Sequence, residues 1–125
     1  MSYLLDTHTL LWWLADHPTL SEPARSVIAN PHHLIVVSAV SAWEISIKKA
    51  LGKLEAPSDL EGAIHRNRFE SLVISIKDGE DAGALPNYHR DPFDRMLIAQ
   101  AFRNQLTIVT RDEKFQQYGV SLLKA

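Results

Sequence analysis

The chain has 125 residues, 46% of them hydrophobic and 22% charged, which is typical of a single globular domain over residues 1–125. No apolar run approaches the roughly 20 residues of a membrane-spanning helix, and no cationic leader precedes one, so we expect a cytoplasmic protein without membrane contact. The absence of cysteine excludes disulfides and thiolate metal sites, and the net charge of −2 argues against tight, constitutive nucleic-acid binding through bulk charge.

Short aliphatic runs alternate with helical patterns along the chain, which is typical of βαβ units on a mostly parallel sheet. These runs predict five strands, at residues 2–5, 34–37, 72–76, 107–109 and 120–123. The second and fourth are almost purely aliphatic, so we expect both in the interior of the sheet, covered on two faces.

Capping residues mark the helix starts between these strands. Ser21 predicts the N-cap of one helix, and the capping box S-D-L-E at residues 58–61 opens another. Asp91 followed by Pro92 predicts the start of a helix that is apolar nearly all round and therefore buried on more than one side. Residues 83–90 form the expected mobile loop.

Four acidic residues fall where a parallel sheet brings side chains together. Asp6 ends the first predicted strand and Asp112 follows the fourth, so both lie at strand carboxyl ends, where open α/β sheets bind ligands. Helices that flank a strand in a βα unit begin at the same edge. This adds Glu44 and Asp94, each of which lies early in its helix.

Glu44 falls within the apolar stripe of its helix, where an isolated anion is costly. An ion pair with Lys48, four residues later, is the alternative explanation, although the apolar neighbours of Glu44 weigh against it. Several anions on one edge repel one another, so either their pKa values rise or a cation neutralises them. Carboxylate ligands without cysteine favour Mg²⁺ or Mn²⁺ over zinc, and such an ion suits phosphodiester hydrolysis.

Some of these acids also have structural explanations. Asp94 would serve as a helix-dipole acid and Asp112 as the cap of a short turn. Asp91 stands three residues before Asp94 and is an alternative or additional metal ligand, although its capping role is sufficient by itself. His8 lies two residues after Asp6 and is left outside the predicted ligand set.

Four ordered segments resemble a known family. Y-L-L-D-T-H-T-L-L-W, W-E-I-S-I-K-K-A-L-G-K-L, D-P-F-D-R-M-L-I-A-Q-A and I-V-T-R-D are similar to motifs of the PIN-domain nucleases, and in particular of the VapC-type toxins of toxin-antitoxin pairs. The resemblance implies a three-layer α/β/α fold with a central parallel sheet of four to five strands. It also implies an endoribonuclease dependent on one or two Mg²⁺ or Mn²⁺ ions, with RNA as substrate and a cognate antitoxin as inhibitor. The family's acidic quartet maps onto Asp6, Glu44, Asp94 and Asp112.

Residues beside the acids carry further expectations. Arg95 and Arg111 flank two of them, and we expect both to position substrate phosphates, with pairing to the carboxylates as the alternative. Trp12 and Trp13 are adjacent on one helix and cannot both face the same way. We therefore expect at least one at the surface, in a homodimer contact or an antitoxin groove.

Three other functions are weighed against the nuclease. A PIN fold that has lost catalysis would serve as a binding module, although the quartet is intact. A phosphoacceptor receiver domain would need paired acids after the first strand and a lysine after the fifth, where only Lys124 stands. A haloacid-dehalogenase-like phosphatase would need an aspartate two residues after Asp6, and His8 occupies that place.

Overall fold

Five strands form one parallel sheet in the computed structural model, which describes residues 1–125. The strands are β1 Ser2–Leu5, β2 Leu34–Ser38, β3 Glu70–Leu72, β4 Thr107–Thr110 and β5 Leu122–Lys124. Their spatial order is β3-β2-β1-β4-β5, and every neighbouring pair is parallel. β1 therefore lies at the centre between β2 and β4, which confirms the interior position expected for the two aliphatic strands.

Six α-helices and one short 3₁₀ helix connect the strands. They are α1 Thr7–Leu14, α2 Glu22–Ala29, α3 Ala39–Ala50, α4 Leu60–Arg66, α5 Ile76–Ala84, α6 Pro92–Asn104 and the 3₁₀ helix Glu113–Tyr118. None of the helices combines the length and the hydropathy that crossing a membrane would require.

Strand side chains alternate between two cores, one on each face of the sheet. Leu5 belongs to a cluster of 13 buried residues that packs against α1, α2 and α4. Its neighbour Leu4 belongs to a second cluster of ten, in which Leu97 and Ile98 of α6 cover the opposite face. This period-two alternation, with helices on both faces, confirms the three-layer α/β/α fold.

A buried polar network fixes α6 against the sheet and α5. The Ser38 hydroxyl at the end of β2 donates to Gln100 Oε1 at 2.6 Å, and Gln100 Nε2 donates to Asp78 Oδ2 at 3.1 Å. Burial alone would raise the pKa of Asp78, but hydrogen bonds from Ser75 and Gln100 and the charge of Arg103 hold it below the ordinary value. The network thereby sets the position of α6, whose first turn carries two of the predicted site residues.

The third strand and the helix after it differ from the sequence prediction. β3 ends at Leu72, whereas a strand was expected over residues 72–76. Ser75 and Asp78 instead form a reciprocal capping box that opens α5 at Ile76. The apolar residues Val73 and Ile74 suggested a strand, but both are exposed. Helix α5 also extends into the expected loop at 83–90.

The predicted helix starts are otherwise close to those observed. Ser21 caps α2 and Asp91 caps α6, as expected. The N-cap of α4 is Asp59, one residue after the predicted Ser58, because its carboxylate accepts from the Gly62 backbone N–H. Such one-residue shifts are ordinary when two adjacent residues are both good caps.

Candidate active site

Asp6 joins the two central strands at their carboxyl ends. It follows β1 directly and caps α1, with Oδ1 accepting from the Thr9 N–H at 2.9 Å. Its Oδ2 accepts from the hydroxyl of Thr110, the last residue of β4, at 2.5 Å. Burial raises the pKa of Asp6, although the hydrogen bonds from Thr110 and Thr9 oppose the increase. The side chain is thus held in one orientation toward the sheet edge.

Glu44 is a buried carboxylate on α3, only 3% exposed. Its Oε1 accepts from the Thr7 hydroxyl at 2.6 Å, and its Oε2 pairs with Lys48 Nζ at 2.5 Å. This hydrogen bond raises the pKa of Lys48. Glu44 thus faces inward as expected, but it also forms the ion pair with Lys48 that its apolar neighbours argued against, in a partly buried setting.

The start of α6 brings two further carboxylates to the same edge. Asp91 caps the helix by accepting from backbone N–H groups of its first turn, at 2.8 and 3.3 Å. Asp94 lies in that turn with its side chain 18% exposed. Burial raises the pKa of Asp94 to about 8, and the charges of nearby carboxylates add to the increase. Those carboxylates belong to Asp91, Asp6, Glu44 and Asp112.

An imidazole links the last two acids. Asp112 caps the 3₁₀ helix, with Oδ1 accepting from the Lys114 N–H at 2.9 Å. His89 Nε2 lies 2.8 Å from Asp94 Oδ2 and 3.2 Å from Asp112 Oδ2. His89 is not among the residues predicted from the sequence, and its only sequence signal is its place two residues before the Asp91 cap.

These groups line one cleft of about 280 Å³ that contains no hydrophobic residue. The lining residues are Asp6, Thr7, His8, Glu44, Lys48, His89, Asp91, Asp94, Asp112 and Lys114. Ligand atoms of His89, Asp94 and Asp112 lie within 4.8 Å of one another. Five carboxylates face two lysines, so the oxygen-rich donors and the excess negative charge fit a hard divalent cation such as Mg²⁺ or Mn²⁺.

The two predicted phosphate-binding arginines point elsewhere. The guanidinium of Arg95 donates to five backbone carbonyls in the segment before α6, those of Ala82, Gly83, Leu85, Pro86 and His89. Arg111 donates to the backbone oxygens of Thr19 and Ala125 and stacks 4.7 Å from the Trp12 ring. Both side chains are therefore occupied in holding the backbone, outside the cleft.

The exposed tryptophan is a different one from those expected. Trp12 and Trp13 are both partly buried against the core under α1. Trp13 packs on Phe69, and its Nε1 donates to Asn67 Oδ1 at 3.0 Å. Trp43 on α3 is 60% exposed instead. On the other side of Glu44, Ile45 is buried, so the inward face of α3 passes through Ser41, Glu44 and Ile45 and leaves Trp43 toward solvent.

Comparisons with known proteins agree with this architecture. A chain in the crystal structure of VapBC2 from Rickettsia felis bound to a promoter DNA fragment has a TM-score of 0.72 at 20% identity, covering 98% of both chains. A toxin-antitoxin complex from Klebsiella pneumoniae contains a chain with a TM-score of 0.63 at 20% identity, covering 98% and 96%. Ribonuclease VapC22 of Mycobacterium tuberculosis (strain ATCC 25618 / H37Rv) is 28% identical over 120 residues, covering 92% of this chain and 90% of the relative.

The order of the strands excludes one alternative fold, and a family model identifies the family of the chain. Receiver domains have the order 2-1-3-4-5, which differs from the order β3-β2-β1-β4-β5 found here and excludes that alternative. The model of the PIN domain family matches residues 3–120. That match covers all five acidic residues of the cleft and nearly the whole chain. The chain therefore belongs to the PIN domain family.

Proposed function

We propose that this chain is a metal-dependent endoribonuclease and the toxin component of a toxin-antitoxin pair. The observation that carries the proposal is the convergence of Asp6, Glu44, Asp94 and Asp112 in one polar cleft, where the pKa of Asp94 is raised to about 8. Carboxylates packed this closely repel one another, and a bound cation that neutralises them explains why they are gathered in one cleft. Membership of the PIN domain family and the likeness to Ribonuclease VapC22 support RNA as substrate.

Asp6, Glu44, Asp94 and Asp112 would hold Mg²⁺ or Mn²⁺, directly or through water, with Asp91 as an additional ligand. When bound, the ion supplies positive charge that polarises the scissile phosphate and stabilises the leaving oxygen. These five side chains lie in a cleft without apolar residues, and their negative charge would repel an RNA phosphate unless a bound cation neutralised it.

The chain's own residues orient these acids and neutralise part of their charge. Thr9 and Thr110 hold Asp6, and Thr7 and Lys48 hold Glu44, so little reorganisation is needed when substrate arrives. With the ion supplying the electrostatic stabilisation, the reaction needs no covalent protein nucleophile. Water is therefore the proposed nucleophile.

We further propose a homodimer that forms through an apolar face beside the cleft. A groove of about 390 Å³ runs between α3, α5 and α6, and its lining includes Trp43, Ile74 and Phe93. Ile76, at the start of α5, is 88% exposed. Clustered exposed apolar residues of this kind mark protein interfaces. Light scattering should report a dimer for the wild type and a monomer for Ile76→Lys; an unchanged mass would contradict this placement.

The toxin-antitoxin complex from Klebsiella pneumoniae supports a cognate antitoxin as the second partner. Co-expression of the chain with the product of a neighbouring small gene should relieve growth arrest if that product is the antitoxin. Growth that is unaffected by the chain alone would argue against a toxin.

Cleavage of defined RNAs by purified protein tests the nuclease. The wild type should cleave RNA in the presence of Mg²⁺ or Mn²⁺ and should leave single-stranded DNA intact. EDTA, or the substitution Asp6→Asn, should abolish the RNA cleavage. Asp59→Asn is the matched control, because Asp59 is also a helix cap but its side chain is 69% exposed and distant from the cleft lining. Full cleavage by Asp6→Asn would overturn the assignment, and binding without cleavage would favour the catalytically silent module.

A further inference from the structure

We propose that His89 occupies, as a hydrogen-bond donor, the place a second metal ion would take between Asp94 and Asp112, so that the site binds one divalent ion. The proposal rests on the proposed function only in that the carboxylates bind a divalent cation. It concerns how many ions they bind and which residue limits that number.

The position of the ring carries the first step. His89 Nε2 lies 2.8 Å from Asp94 Oδ2 and 3.2 Å from Asp112 Oδ2, and the side chain is only 7% exposed. Carboxylate pairs bridged in this manner commonly share a cation in two-metal phosphodiesterases, where the ions lie about 3.5–4 Å apart. His89 Nε2 lies nearly midway between the two carboxylate oxygens, because its distances to them differ by only a few tenths of an ångström.

The second nitrogen indicates that His89 donates rather than ligates. The backbone N–H of Asp91 points to His89 Nδ1 at 3.4 Å. A nitrogen that faces an N–H group is an acceptor, so this contact places the ring hydrogen on Nε2, toward the carboxylates. Metal-bound histidines show the reverse arrangement, because their second nitrogen donates to a carboxylate or carbonyl.

The remaining hydrogen bonds leave one open oxygen in the quartet. Both oxygens of Asp6, of Glu44 and of Asp112 accept hydrogen bonds inside the protein. Asp94 accepts from His89 through Oδ2 alone, which leaves Oδ1 without a hydrogen-bond partner. Asp94 Oδ1, together with Oδ2 of the neighbouring Asp91, is therefore free for a first ion, whereas a second ion at Asp112 would have to displace the imidazole.

The loop around His89 is held independently of its ring. The His89 N–H donates to the Tyr118 hydroxyl at 2.9 Å, and its carbonyl accepts from Arg95 at 3.2 Å. The ring itself adds an edge contact to Phe115. Removing the side chain should therefore leave the backbone in place and vacate the position between the two carboxylates.

Calorimetric titration with Mn²⁺ and the electron paramagnetic resonance spectrum of the bound ion test the proposal. Wild type and His89→Gln, whose amide retains an N–H donor, should bind one ion per chain and show an uncoupled Mn²⁺ spectrum. His89→Ala should bind two ions and show spin-coupled Mn²⁺. Thermal melting of each variant checks that it folds.

Each other outcome counts against the proposal in a distinct way. Two ions in the wild type, or one ion in His89→Ala with unchanged affinity, would show that the ring does not limit the stoichiometry. At least tenfold weaker binding by both variants would mean that His89 is itself a ligand. No Mn²⁺ bound by any of the proteins would overturn this proposal together with the metal dependence of the proposed function.

Discussion

Asp94 should make the stability of the chain fall as pH rises when metal is chelated. Burial and neighbouring carboxylates raise its pKa from 3.8 to about 8 in the folded state. Between these values the folded chain retains a proton that the unfolded chain releases, so the free energy of unfolding decreases with increasing pH. One pKa unit corresponds to about 1.4 kcal/mol, which sets an upper limit of ~6 kcal/mol for the whole window. Because 18% of the side chain contacts solvent, we expect about half of that limit.

Urea unfolding in EDTA from roughly pH 5 to pH 8, followed by tryptophan fluorescence, measures this effect. Histidines also titrate in this range, so the informative quantity is the difference between wild type and Asp94→Asn. Because pH 5 to pH 8 covers roughly three of these pKa units, the wild type should lose about 2 kcal/mol relative to the variant. Mg²⁺ or Mn²⁺ should restore stability near pH 8 by binding the folded state. Asp59→Asn should follow the wild type. Equal pH slopes for wild type and Asp94→Asn would refute the reasoning.

Three further predictions concern groups that hold the site in place. Asp78→Ala should lower the free energy of unfolding by about 3 kcal/mol, since it removes the acceptor that joins α5 to α6; a loss under about 1 kcal/mol in urea titration would contradict this. Arg95→Met should speed amide hydrogen exchange in residues 82–89 while the strands exchange as before. Unchanged exchange of residues 82–89 in this variant would show that Arg95 does not hold the segment in place. Lys48→Met should destabilise by about 3 kcal/mol because Glu44 loses its partner, and adding Glu44→Gln should recover part of that loss in a double-mutant cycle.

The acidic quartet was predictable because its positions depend on local signals and one topological rule. Asp6 and Asp112 follow aliphatic strands, and Asp94 follows the cap formed by Asp91. Once the strands are parallel, their carboxyl ends and the adjoining helix starts share an edge, so sequence patterns suffice to collect these residues. Glu44 was found because a charge within an apolar stripe conflicts with its surroundings.

Other features depend on tertiary contacts that local patterns do not encode. His89 reaches the carboxylates because Arg95 and Tyr118 hold its loop against α6. Arg95 and Arg111 lie beside acids in the sequence, but long side chains reach the backbone of distant segments instead. Val73 suggests a strand because it is β-branched and apolar, and the sequence alone does not distinguish an exposed apolar residue from one in a buried strand.

RNA cleavage by Asp94→Asn near pH 8 shows whether the clustered carboxylates that destabilise the fold are the ones that the nuclease reaction needs. We expect this variant to be at least as stable as the wild type there and yet to lose metal-dependent RNA cleavage, because the carboxylate that destabilises the fold is one that the reaction requires. Its activity would then be lost without unfolding. Cleavage by Asp94→Asn at the wild-type rate, with the same metal and the same RNA, would mean that Asp94 is not part of the catalytic site.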